Sequence, residues 1–481
     1  MWWIDLIGER NVEKIIYNEI FYRISCGYPV IYSSFIVNLL LSLLIVNRKK
    51  LKKELKLKRL DYLLITSLVL FNAILFSLFS THFQSFSEAW GDLLIAKSFM
   101  TKIEGISYCD YMYGPMVPFL IFLFSLILKD IAFAASVFYF LCMLLASVGY
   151  YLATKLLFNN RLAAFRLGLI IFVIPLNFQY FAITREKTPL GITFVPFSII
   201  FLYVFLKNED LKLLLLLFSV VAFTFSIKLE HSLLFIFSLV SIILLKWRRL
   251  KNTFFMKKVI LGLVFFFLIT IPIIIKFLSV SYMYHSQEPH GTRIESIASY
   301  APEYYGTFSF RYIPKKLPLL YYYLFSKEGC ILISLLFPFF LIPLLYKRLF
   351  TEFMILFLVF SLYSLEVLTF YASESRFFLN TFPGFALISF SILTLVFSKI
   401  KWPSNAVLSL FLLLIFLSFY IPQLKGMKMW IGEDYRYIND VISSLGIGED
   451  DVVIVYKLND EYMWKVVSNV TNIYNYQEIL S

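Results

Sequence analysis

The chain has 481 residues, 60% hydrophobic and 19% aromatic, with a formal net charge of +13 and a mean hydropathy of +0.78. A soluble globule is excluded, because its apolar content lies nearer half. A β-barrel is excluded as well, because the apolar runs are continuous rather than alternating.

What remains is an all-α polytopic membrane protein. Its excess of basic residues reads as loop anchors beside anionic lipid rather than as a nucleic-acid surface. The opening Trp2-Trp3-Ile4-Asp5 has no basic segment before an apolar core, so no cleavable signal peptide is expected. In chain order, about 12 runs are long enough to span as helices, at 30–47, 61–81, 131–157, 162–182, 188–206, 211–227, 232–246, 258–279, 328–346, 352–371, 377–398 and 404–422. The basic cluster Arg48, Lys49, Lys50, Lys52, Lys53, Lys56, Lys58 and Arg59 between the first two is the strongest orientation signal and is expected on the cytoplasmic side.

The run Pro115–Leu128 is ambiguous by hydropathy. If it crossed, the basic stretch Lys246-Trp247-Arg248-Arg249-Leu250-Lys251, with Arg161, Arg166, Lys347, Arg348, Lys399 and Lys401, would face outward. If it lies along the surface, all of them fall on the cytoplasmic side. Pro115 and Pro118 suit a helix that begins abruptly at a membrane surface. A non-spanning helix is therefore expected.

This divides the chain into 1–60 (an amphipathic segment, a first span and the basic loop), a transmembrane module at 61–280, a long outer loop at 281–327, further spans at 328–422 and a small α/β segment at 423–481. The last is expected to hold a helix over Tyr435–Leu445, a glycine turn and a strand over Val452–Tyr456.

The cysteines at 26, 109, 142 and 330 have neither metal-ligand spacing nor a disulfide framework. No P-loop, dinucleotide fingerprint or His-Glu-x-x-His occurs. The parity argument gathers the polar residues capable of chemistry on one side. They are Glu88 and Asp92 in Ser-Phe-Ser-Glu-Ala-Trp-Gly-Asp, Asp110 and Tyr113 in Tyr-Cys-Asp-Tyr-Met-Tyr-Gly-Pro, Arg185 with Lys187, His231, and Arg376. Acidic residues at the mouth of a membrane protein are costly unless they pair, bind an ion or do chemistry.

An acidic residue in an aromatic loop after a span, an amphipathic segment with a glycine turn (Ala96–Gly105), then Tyr-x-Asp and an aromatic-Gly-Pro before an apolar surface helix resemble the GT-C superfamily of membrane glycosyltransferases. Within it the pattern resembles the protein O-mannosyltransferases and the aminoarabinose transferases, over roughly 61–210. The chain departs in having Tyr113-Gly114-Pro115 for a basic residue and two prolines, no Asp-x-Asp pair, and an extra first span.

The resemblance implies transfer of a sugar from a polyprenyl-phosphate donor to a glycan, lipid or protein acceptor on the extracytoplasmic face, with surface helices at Trp90–Lys102 and Pro115–Leu128. It also implies Asp92 as the general base; the competing reading is a helix cap after Gly91. Asp110 stays open between orienting a substrate, holding a divalent ion such as magnesium or manganese, and a turn. Arg185 and Lys187 read as phosphate ligands or as snorkelling side chains. Arg376, His231, Glu88 and Tyr113 are further substrate-binding candidates. Two other classes stay open: an O-antigen-type polymerase or ligase, for which the 281–327 loop argues, and a transporter or flippase, for which midspan charge such as Glu366 would argue.

Overall fold

The computed structural model describes residues 28–46, 48–83, 87–100, 116–173, 185, 190–227, 229–286, 310–322, 350–369, 433–434, 437–447, 452–455 and 472–475. In chain order these form α1 (Tyr28–Ile45), α2 (Arg48–Leu55), α3 (Arg59–Phe79), β1 (His82–Phe83), α4 (Ser87–Ser98), α5 (Met116–Leu128), α6 (Ile131–Phe158) and α7 (Arg161–Val173). They continue with α8 (Leu190–Asn208), α9 (Leu211–Ile227), α10 (Leu233–Leu250), α11 (Thr253–Ser286), α12 (Ile313–Tyr322), α13 (Phe350–Thr369), β2 (Glu433–Asp434), α14 (Tyr437–Leu445), β3 (Val452–Val455) and β4 (Asn472–Asn475). The helix and strand expected near the C-terminus are present, and β3 pairs in parallel with β4. The runs expected at 328–346, 377–398 and 404–422 lie outside the described residues.

Among the described residues five helices are long and apolar enough to cross a membrane: Arg59–Phe79, Ile131–Phe158, Leu190–Asn208, Thr253–Ile274 and Phe350–Thr369. Their ends follow local rules. Asp130 caps α6 by accepting from the Phe133 N–H at 2.9 Å, and Asn159 ends the same helix in the left-handed conformation at φ 52°. Asn160 caps α7 through the Ala163 N–H, and Asn252 caps α11 through the Phe254 and Phe255 N–H groups.

Between apolar helices in lipid there is no water to exclude, so association rests on close packing of small residues and on interhelical hydrogen bonds. Both are present. A Cβ on Gly149 of α6 would sit 2.8 Å from Pro196 of α8, and one on Gly168 of α7 would sit 2.9 Å from Leu68 of α3. Ser147 donates to the Gly168 carbonyl at 2.8 Å, Thr193 to that of Cys142 at 3.1 Å, and Asn72 to that of Phe140 at 3.2 Å. The buried core runs through α6, α8 and α9, whereas α3 keeps most of its apolar surface outward.

Charge sorts the bundle into two ends. At one, Arg161 Nε binds Asp61 at 3.0 Å and Lys207 binds Glu54 at 2.6 Å. At that end too, Lys246 and Arg249 meet Glu209 at 2.9 and 3.6 Å, and Lys258 donates to the Glu209 carbonyl. Glu209 adopts φ 53° in the turn between α8 and α9; its hydrogen bond from Lys246 holds its carboxyl below the usual range. The starts of α3, α7 and α13 and the ends of α6, α8 and α10 share this basic end. The opposite rim therefore collects the end of α3 and the starts of α6 and α8.

Candidate active site

The opposite rim is held together at Ser80, which follows α3. Its carbonyl accepts from Ser136 Oγ of α6 at 2.5 Å and from Arg185 Nη2 at 3.0 Å. Ser80 and the start of α6 thus touch, and the chain from 81 to 130 leaves and returns at one end. Helices α4 and α5 have 12 and 13 residues, roughly 18–20 Å at 1.5 Å per residue, shorter than a hydrocarbon core of about 30 Å. The segment Pro115–Leu128, expected to be non-spanning, is described from Met116 onward as α5. The first surface helix runs Ser87–Ser98 instead of Trp90–Lys102.

Asp92 is 2% exposed and lies inside α4, five residues after its start. This corrects the helix-cap reading, since an interior residue cannot cap the first turn. Its neighbours Leu93, Leu94 and Ala96 are buried in the core, and α4 packs on α5 and α6. Phe99 meets Phe119 and Phe122 of α5 with ring centroids 5.7 and 5.4 Å apart. Glu88 lies on the same helix one turn before Asp92.

Arg185 is 1% exposed and has φ 55°. Nη2 also reaches the Phe79 carbonyl at 3.3 Å, so the guanidinium sits at the negative C-terminal end of α3 and satisfies carbonyls that have no partner within the helix. This corrects the snorkelling reading, because the side chain turns inward and is buried.

His231 is fully buried in the short turn Leu229–Ser232 that joins α9 to α10. Its ring lies against Gly191 in the first turn of α8. A methyl group there would fall 2.9 Å from Nε2 and closer still to Cε1 and Nδ1. We expect Gly191→Ala to displace the ring and lower thermal stability by about 1–3 kcal/mol, the range for overpacking a filled site. Adding His231→Ala is expected to recover most of that loss. Additive losses in thermal unfolding of the single and double variants would contradict the packing.

Asp92, Arg185 and His231 thus come to one end of the bundle. Asp110, Tyr113, Lys187 and Arg376 lie outside the described residues. Glu366, expected at midspan, lies within α13.

Sequence reading missed two features. One is Gly191, a glycine in an apolar helix whose role shows only once His231 is placed. The other is Lys316 of α12, 3% exposed, which donates to the Val367 carbonyl near the end of α13 at 3.2 Å; burial pulls its ammonium down to about 8. Among the described residues no group of three or more His, Cys, Asp or Glu converges as a metal site.

Residues 113–275 match the family of dolichyl-phosphate-mannose-protein mannosyltransferases. The match takes in Arg185, Lys187 and His231 and begins beyond Asp92 and Asp110, further along the chain than the 61–210 span of the motif resemblance. No curated protein sequence matches the chain. Among solved structures the fold is similar to ArnT from Cupriavidus metallidurans bound to undecaprenyl phosphate, with a TM-score of 0.55, 11% identity and coverage of 85% of each chain. At that identity the likeness is one of fold. Over residues 113–275 the chain is thus similar to the dolichyl-phosphate-mannose-protein mannosyltransferases, and as a whole it has the fold of a polytopic membrane protein of the ArnT kind.

Proposed function

We propose that this protein moves a sugar from a polyprenyl-phosphate-linked donor to an acceptor hydroxyl at the rim opposite the basic clusters, by inverting displacement with Asp92 as general base. The observation that supports this most is the burial of a carboxylate, a guanidinium and an imidazole at one end of a GT-C fold. Burying such groups is expensive in a chain this apolar, and preorganised charge in a water-poor site is what the reaction needs.

Asp92 takes the proton of the acceptor hydroxyl as its oxygen bonds to the anomeric carbon. The bond from that carbon to the phosphate oxygen breaks, and the carrier leaves as polyprenyl phosphate. A single displacement inverts the anomeric centre. Arg185 and Lys187, with Arg376 from a later connection, supply positive charge for the leaving phosphate. Asp110, Glu88 and Tyr113 orient sugar or acceptor, and Asp110 is also the position for a divalent ion. The ArnT structure holds undecaprenyl phosphate, a carrier of the chemical class assigned here.

The clusters Arg161–Asp61, Lys207–Glu54 and Lys246–Glu209 gather at one end, and the bias of basic residues toward the cytoplasm supports reading the opposite rim, and with it the reaction, as extracytoplasmic. Two measurements test the reading. Purified protein should transfer sugar from polyprenyl-phosphate donors and release polyprenyl phosphate. A cysteine introduced by Glu104→Cys should react with a membrane-impermeant thiol reagent in intact cells. Protection in intact cells with labelling after lysis would put the rim on the cytoplasmic side.

A further inference from the structure

Strand β1 lies between the two parts of the candidate site. It follows Ser80, whose carbonyl is held by Arg185 and Ser136, and it precedes α4, which carries Asp92. Its partner comes from the far end of the chain. β1 and β2 pair antiparallel, with His82 opposite Asp434 and Phe83 opposite Glu433. The segment that supplies β2 is anchored on its own account, since Ile442 of α14 packs against the hydrophobic core. α14 ends at Gly446 with φ 65°, where the Ile447 N–H returns to the Ile442 carbonyl at 3.1 Å.

We propose that Glu433 and Asp434 form a strap that positions the Asp92 helix through the backbone, so that the C-terminal segment belongs to the catalytic end and is not an appended cap. The inference rests on the transferase reading above. The physical reason is the weakness of a short connection. After Ser80 the described residues Thr81, His82 and Phe83 are not helical, and the cross-chain pairing supplies a second fixed point there. A base must be held near its productive geometry, and misplacement by about 1 Å can cost roughly 100-fold in rate. Glu433 and Asp434 act here as positioning residues with no contact to substrate.

The test uses the full-length protein with Cys26, Cys109 and Cys330 replaced by serine. Opposed residues of an antiparallel pair have Cα atoms about 4.5–5.5 Å apart, within the range a disulfide bridges. His82→Cys with Asp434→Cys is therefore expected to cross-link on mild oxidation, with turnover within about twofold of the reduced double variant. Glu433→Pro should break the pairing and lower kcat about tenfold or more, with the donor KM unchanged within twofold. Adding the disulfide to Glu433→Pro should restore kcat, and reductant should abolish the recovery. Failure to cross-link, an unchanged kcat in Glu433→Pro, or no rescue by the disulfide overturns the strap. If the unsubstituted protein transfers no sugar, the transferase reading falls and the positioning role with it, while cross-linking still reports the pairing.

Discussion

Asp92→Asn is expected to lower the rate of sugar transfer by about 100- to 10,000-fold, the contribution typical of a positioned general base. Asparagine keeps the size and planarity of the side chain, so the 2% exposed position inside α4 can stay filled while the proton acceptor is lost. Thermal stability and binding of the polyprenyl-phosphate donor are therefore expected to stay near those of the unsubstituted protein. Turnover, unfolding temperature and donor affinity measured on one preparation separate the possibilities. Transfer at the unsubstituted rate would remove Asp92 from the chemistry. Loss of folding together with activity would make it a structural acid.

Asp61→Ala is expected to destabilise the protein by about 3 kcal/mol, with sugar transfer affected only through the folded fraction. Asp61 is fully buried and accepts from Tyr151 Oη at 2.7 Å, from Arg161 Nε at 3.0 Å and from the Lys58 N–H at 2.6 Å. One carboxylate thus caps α3 and ties it to α6 and α7. Removing one partner of a buried ion pair leaves the others uncompensated, at roughly 3–5 kcal/mol; Arg161 is 28% exposed and can partly turn to water, which argues for the low end. Lys207→Ala, at a pair whose lysine is 53% exposed, is the contrast, with an expected effect of about 0–1 kcal/mol. Equal shifts in unfolding temperature for the two variants would show that burial at Asp61 carries no special weight.

The elements were legible in the sequence to different degrees, for different physical reasons. Apolar length fixed the helices α3, α6, α8 and α9 within a few residues of their observed bounds, because a helix in lipid must satisfy its own backbone over a set thickness. The helical ends were less legible. Ser87, not Trp90, begins α4, since nothing in Gln84-Ser85-Phe86-Ser87 marks one residue above the others as the start. With that start, Asp92 is the sixth residue of the helix and not its cap.

The end of the bundle at which basic residues gather was legible from charge. Lysines and arginines recur at alternate connections, and the ion pairs of Glu54, Asp61 and Glu209 fall at one end as that alternation requires. Partners were not legible, because they join residues far apart in the chain. Arg185 contacts Ser80, His231 lies on Gly191, and Asp434 stands opposite His82.

By itself, then, the sequence determined a helical membrane bundle and the end at which its paired basic residues collect. These follow from hydropathy and charge, which act residue by residue. Only the tertiary structure decided that Arg185 turns inward onto the end of α3, that Gly191 makes room for an imidazole, and that the C-terminal segment pairs with β1. Each is a contact between distant positions, and contact geometry follows from how helices pack, which no local pattern of residues encodes.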